Sequence, residues 1–209
     1  MIVGPTAAGK STRAMEIAAS GDVAIISADS RQIYRGFDIG TAKPSIADRQ
    51  AALHYGVDIV EPTESYSAYR WAVDAARWIS EALAAGKTPI VVGGTGFYLK
   101  SLFDPPYDVS PVAAFSLRPQ YEIVDPGESL KQHIVTRVDQ MLGAGWLVEV
   151  GQLMATVPAD AIAWKACGYR IMRGHLKGEY SLDYARERAI IETRQYAKRQ
   201  RTWFRHQLA

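Results

Sequence analysis

Cysteine occurs once in the 209 residues, at Cys167, so no disulfide can form within the chain and a reducing cytoplasm is the expected setting. Long apolar runs are missing as well. No 18 apolar residues follow one another, and the N-terminus lacks the charged-then-apolar pattern of a signal peptide, so no membrane partner is expected. The four histidines, His54, His133, His175 and His206, are scattered without ligand spacing, which leaves no Cys/His metal cluster. Charge excess is small: a net +2 identifies no partner by itself. Internal repeats and low-complexity tracts are absent too.

What is present begins at once. Residues 4–11, Gly4, Pro5, Thr6, Ala7, Ala8, Gly9, Lys10 and Ser11, spell G-x-x-x-x-G-K-S, after the apolar Ile2 and Val3 and before a helical pattern. That context defines a P-loop, a cradle for a di- or triphosphate. The glycines let backbone N–H groups turn inward, the following helix points its positive end at the anion, and the Lys10 ammonium neutralises terminal phosphate charge. Ser11 is then placed to hold Mg²⁺. The opening strand is short anchorage for such a loop, which raises the expectation of a few residues ahead of Met1.

Val/Ile-rich runs at 2–3, 23–27 and 89–92 alternate with longer helical patterns, the signature of a parallel sheet built from β-α-β units. Between 67 and 85, Trp71, Ala75, Trp78, Ile79, Ala82 and Leu83 recur at helical spacing, and Gly86 supplies the stop. A Pro-rich stretch at 104–111 interrupts the pattern, and from Leu130 onward the chain reads as mostly helical, its last helix capped by Ser181 and running to about Phe204. The expectation is one α/β domain over 1–209. It has a P-loop NTPase-like parallel sheet flanked by helices in 1–104, a connecting segment at 105–116, and the remaining core with C-terminal helices in 117–209.

In open α/β sheets ligands sit beyond the carboxyl ends of the strands, so the P-loop, the Asp29-Ser30-Arg31-Gln32 turn and the Gly93-Gly94-Thr95-Gly96 turn should converge on one crevice. Asp29 there is either a catalytic carboxylate or an Asx-type cap of its own turn. Thr95 stands either at a ligand or in a tight turn that needs only the glycines. On the last helix Arg194, Lys198, Arg201 and Arg205 fall 4, 3 and 4 apart with no acidic residue among them, which is either a phosphate-binding stripe or a solvated face. Tyr196, Trp203 and Phe204, interleaved with it, could stack bases or anchor the helix. Arg137, amid apolar helical neighbours, is a surface charge or a second phosphate clamp.

Taken together, G-P-T-A-A-G-K-S at 4–11, I-S-A-D-S-R-Q-I-Y-R-G-F-D-I-G-T-A-K-P at 26–44, G-G-T-G-F-Y-L-K-S-L at 93–102 and T-R-Q-Y-A-K-R-Q-R-T-W-F-R at 193–205 resemble the bacterial tRNA dimethylallyltransferases, or tRNA isopentenyltransferases. The resemblance implies transfer of a dimethylallyl group from dimethylallyl diphosphate to N6 of adenosine 37 beside the anticodon of tRNA, with Mg²⁺ as cofactor. Asp29 would accept the N6 proton, Thr6 and Lys10 would bind the diphosphate with Arg137 clamping it from the opposite side, and Ser11 would ligate the metal. Ser30, Arg31 and Gln32 would contact tRNA, and Thr95 would line the channel for the flipped adenine. A monomer engaging the anticodon stem-loop is expected.

Two departures stand out. Members of the family usually carry a helical insertion of several dozen residues before a strand that would begin here near Leu117, whereas only about residues 107–116 fill that space. And K-A-C-G-Y-R at 165–170 replaces the family's more frequent Gln-Ala-Ile-Gly-Tyr-Arg. The sequence leaves three other readings open: a prenyltransferase on free adenine nucleotides, a P-loop small-molecule kinase holding ATP, and an inactive tRNA-binding module.

Overall fold

A computed structural model of the chain describes residues 1–103 and 120–207. The expected segment 105–116, and a strand start near Leu117, lie outside the described residues. The sheet has five parallel strands in the order β3-β2-β4-β1-β5: β1 (Ile2–Val3), β2 (Val23–Ala28), β3 (Leu53–Tyr55), β4 (Thr88–Gly93) and β5 (Glu122–Ile123). β1 sits between β4 and β5 and pairs with both, Ile2 opposite Val92 and Glu122, Val3 opposite Gly93 and Ile123. A two-residue strand thus anchors its loop because it is hydrogen-bonded on both sides.

β1 and β2 are buried on both faces, as is the second half of β4, which explains their unbroken Val/Ile runs. Successive side chains alternate across the sheet. Ile2, Ile25 and Val92 pack on one face with Ala14 and Met15 of α1 (Lys10–Ser20), while Val3, Ile26 and Val91 pack on the other with α3 (Ala68–Ala84). Ser67 caps α3, and Trp71, Ala75, Trp78, Ile79 and Ala82 form its buried face; Leu83 in the last turn instead faces solvent. Trp71 stacks on Tyr98 of α4 (Gly96–Phe103) and donates its indole N–H to the Ser27 carbonyl at 3.0 Å.

The second half is helical, as its pattern indicated: α5 (Leu130–Gly143), α6 (Trp146–Thr156), α7 (Tyr169–Leu176) and α8 (Leu182–Gln207). Periodicity did not disclose α2 (Ile46–Ala51) or β3, because six and three residues are too few to establish a period.

The stretch that follows β2, residues 29–44, is clamped between the two halves. Phe37 sits 5.2 Å from Trp164 and 4.8 Å from Tyr169, ring centre to ring centre. Glu149, a buried carboxylate on α6, accepts the amide N–H groups of Asp38 at 3.0 Å and Ile39 at 2.6 Å and the Tyr169 hydroxyl at 2.6 Å. Gly40 donates its own amide to that hydroxyl, and a Cβ there would stand 2.2 Å from Trp146 Nε1, so only glycine lets the loop lie this close. Glu149→Ala would leave three donors without their acceptor in a low-dielectric pocket. Each orphaned buried donor costs on the order of 1 kcal/mol or more, so the variant should lose about 3 kcal/mol and melt roughly 6–12 °C lower. A thermal midpoint unchanged from wild type would show that the clamp does not depend on this carboxylate.

Candidate active site

Three strand ends open onto one crevice, as the topology requires. β1 runs into the loop of residues 4–9, β2 into Asp29, and β4 into the Gly93-Gly94-Thr95 turn. The loop closes on α1 through Gly9, which is left-handed at φ 96°; the helix has no side-chain cap and no acidic residue in its first turn. Its leading amides and positive end are therefore open to an anion. Ala7 also holds a positive φ, 62°, a costly conformation for an L-residue that the surrounding contacts impose.

Lys10 donates from Nζ to the Pro5 carbonyl at 2.7 Å, which folds its ammonium back over the loop. Burial pushes its pKa down to about 8; Asp29 pulls it upward and Arg137 pushes it further down. Arg137 reaches in from α5 on the opposite wall, and burial lowers its pKa too, against the pull of Asp29. It donates from Nη2 to the Thr41 carbonyl at 3.5 Å. Among the described residues none of Lys10, Arg137 and Asp29 has an ion-pair partner within 4.0 Å. Two desolvated cations thus share one nearby carboxylate, and the local charge is uncompensated.

Asp29 meets both of its sequence readings. Its Oδ1 accepts the Arg31 amide at 2.8 Å, an Asx turn that fixes the carboxylate, and the same side chain lines the crevice. The crevice, of 140 Å³, is also bordered by Ser11, Ser27, Asp48, His54 and Gln200; His54 carried no signal of this in the sequence. An adjoining cavity of 40 Å³ is bordered by Arg31, Met141, Trp146, Cys167, Thr193 and Tyr196. Thr6, Asp29 and Arg137 border both, so three of the four residues expected to act in the reaction stand where the two spaces meet, while Lys10 borders the 140 Å³ crevice alone. Burial pushes the Tyr196 hydroxyl up to about 12 and the Cys167 thiol up to about 11, keeping both neutral beside the charged groups.

Other expected site residues take different parts. Thr95 borders neither cavity; its Oγ1 accepts the Ser30 amide at 3.0 Å and so shapes the Asp29 turn. Gln32 commits its amide inward, accepting from Ser27 Oγ at 2.9 Å and donating to the Thr41 and Ala42 carbonyls at 3.3 and 3.0 Å, which makes it a brace of this loop rather than a free contact for tRNA.

α8 presents two faces. Thr193, Tyr196 and Gln200, at i, i+3 and i+7, turn toward the crevice, and the basic residues lie about 100° or more around the helix. Arg194, Lys198 and Arg205 are exposed there. Arg201 is not free: its guanidinium grips Asp125 bidentately and donates to the Gly127 carbonyl at 2.6 Å. The stripe looked unopposed because its acid lies 76 residues earlier, in the turn after β5.

The family model described as IPP transferase matches residues 32–124 and 116–207, and one described as isopentenyl transferase matches residues 1–54. A tRNA dimethylallyltransferase of Cyanothece sp. is 35% identical over 264 residues, spanning 98% of this chain and 88% of the relative. That stretch exceeds the 209 residues present here, so the relative carries residues with no counterpart in this chain. Among solved structures, the tRNA isopentenylpyrophosphate transferase of Staphylococcus epidermidis superposes with a TM-score of 0.82 at 30% identity, covering 97% of this chain and 88% of that one. A eukaryotic dimethylallyltransferase acting on tRNA shares the fold, with a TM-score of 0.83 at 24% identity over 97% of this chain and 68% of its own.

The Lys10 shift sets a pH dependence. An anion seated on the loop favours the protonated ammonium, so affinity is full below pH 8 and falls as Lys10 deprotonates above it. Inorganic diphosphate should therefore bind up to about tenfold more weakly per pH unit above that point, measured by titration calorimetry. Constant affinity to about pH 9.5 would place the Lys10 ammonium outside the anion site.

Proposed function

The chain belongs to the IPP transferase family, and we propose that it transfers a dimethylallyl group from dimethylallyl diphosphate to N6 of adenosine 37 in tRNA, releasing diphosphate. The observation that carries this reading is the pair of half-buried cations, Lys10 and Arg137, which line one crevice without an ion pair and have Asp29 as the carboxylate that acts on both. They supply the charge a departing diphosphate needs, and Asp29 supplies a base.

The exocyclic amine of adenine is a poor nucleophile, so the rate must come from placement, proton removal and leaving-group stabilisation. The N6 lone pair forms a bond to the allylic C1 while the C1–O bond breaks and its electron pair leaves with the diphosphate. Lys10, Arg137, the Thr6 hydroxyl and the loop amides neutralise that charge, and the N6 proton passes to Asp29. Both events fall where the two cavities meet, with the diphosphate on the Lys10 side and the base entering past Arg31 and Tyr196. The base must first be extruded from the anticodon loop, at a cost of a few kcal/mol that cationic and stacking contacts offset.

Mg²⁺ fits as the cofactor. Ser11 and the carboxylates of Asp29 and Asp48 are hard oxygen donors around the crevice, and no cluster of three potential ligands occurs among the described residues. That donor set suits an ion held mainly by diphosphate oxygens and water, with Ser11 as the protein ligand. Bound there, the ion would add to the neutralisation of the leaving group.

The outer face of α8 gives the tRNA a landing site: Arg194, Lys198 and Arg205 point outward from the helix whose inner face borders the reaction space. No described helix is long and apolar enough to cross a membrane. We take the chain to meet the anticodon stem-loop of tRNA as a monomer in the cytoplasm. Nothing in the site favours a kinase, whose phosphoryl acceptor has no use for a basic outer face.

Asp29→Ala should lower kcat by about 10²- to 10⁴-fold in a tRNA prenylation assay, with a smaller change in affinity for dimethylallyl diphosphate. Loss of diphosphate binding with kcat preserved at saturation would instead make Asp29 a metal partner. Replacing Arg194, Lys198 and Arg205 together with Gln should weaken tRNA binding and flatten its salt dependence, by up to ~0.9 in the log–log slope per lost duplex phosphate contact. An unchanged slope in a variant of intact helicity would reduce the stripe to a solvated face.

A further inference from the structure

Gln200 is the one polar side chain of α8 among the fully buried residues, and it is 7% exposed. Its Oε1 accepts the backbone N–H of Thr6 at 2.7 Å, and its Nε2 donates to the Gly94 carbonyl at 2.9 Å. The two contacts fix which end of the amide faces which loop, because Thr6 can only donate here and the Gly94 carbonyl can only accept. The bridge exists because residue 94 lacks a side chain: a Cβ there would stand 2.3 Å from Gln200 Nε2 and 3.0 Å from the Gly4 carbonyl. One amide therefore ties three elements together, the P-loop, the turn after β4 and the helix with the basic outer face.

The contact also changes what Thr6 does. In an anion cradle, the loop amides normally turn toward the ligand. The Thr6 amide is instead held by Gln200, which leaves the side chain as what this residue can offer a ligand, and Thr6 borders both cavities beside Asp29 and Arg137. A Thr6 released from that anchor could rotate its peptide and turn its hydroxyl away from the junction.

We propose that Gln200 is a positioning residue for prenyl transfer: by capturing the Thr6 amide and bracing it against the Gly94 carbonyl, it aims the Thr6 hydroxyl at the bond between C1 and the leaving diphosphate. The proposal rests on the prenyl-transfer reading. It places the effect of Gln200 in the chemical step rather than in tRNA capture, because its contacts are with the P-loop and the neighbouring turn, away from the exposed face of α8.

The test is a double-mutant cycle on single-turnover transfer from dimethylallyl diphosphate to tRNA, with Gln200→Met, Thr6→Val and the double variant. Gln200→Met keeps the length and volume of the side chain while removing both hydrogen bonds. It should slow transfer about 10- to 100-fold and leave the dissociation constant for tRNA within about twofold. In the Thr6→Val background, which has no hydroxyl to aim, the same substitution should cost less than about threefold. Additive losses in the cycle, or a Gln200→Met rate within twofold of wild type, would overturn the proposal. Should Gln200→Met not fold, Gln200→Asn keeps an amide but falls one methylene short of Thr6, and it is held to the same two criteria. Absence of any transfer by the wild-type protein would count against the prenyl-transfer reading itself, which separates the two failures.

Discussion

Two half-buried positive charges without an ion pair are the constraint on which the rest of the structure depends. Lys10 and Arg137 come from opposite halves of the fold, one on α1 after the P-loop and the other on α5, and Asp29 is the carboxylate that acts on both. Burial of like charges is unfavourable in a ligand-free protein, and the downward pressure on both pKa values expresses that cost. A diphosphate supplies the missing charge. The uncapped α1 N-terminus and the positive φ of Ala7 belong to the same arrangement, in which stability is given up locally for a preformed anion site.

Holding such a site open requires stiff surroundings. The loop that follows β2 is held from two directions: the helical half buries Phe37 among Trp164 and Tyr169 and takes two loop amides on Glu149, and within the loop Gln32 ties its start to its end. α8 then closes the crevice with one face and offers cations outward with another. A single helix can serve both purposes because residues four and seven apart return to one side while those between them do not.

Much of this was legible in the residues. The loop between β1 and α1, the polar ends of β2 and β4, the α3 stripe apart from Leu83 and the helical second half all follow from short-range patterns and appear where they were expected. The readings that needed correction depend on residues distant in sequence. Arg201 looked unopposed until the turn after β5 brought Asp125 to it, and the amide of Gln32, expected to contact tRNA, is taken up by carbonyls of its own loop. Gln200, flanked by Arg199 and Arg201, gave no hint of burial, since only the packing of α8 over the P-loop decides it. Glu149 did leave a signal, a lone carboxylate in the apolar run Trp146, Leu147, Val148, Glu149, Val150, whose purpose depended on partners 110 residues away. The strand Glu122–Ile123 was too short for any pattern and is defined by its pairing with β1.

The most direct test takes Arg137→Met in the ligand-free protein and measures both thermal stability and the affinity for inorganic diphosphate. If Arg137 is held at a cost for the sake of the anion, the variant should melt at or above the wild-type temperature while binding diphosphate about 100-fold more weakly. A variant that melts well below wild type and binds diphosphate normally would contradict this, and would make Arg137 a structural residue of the helical half.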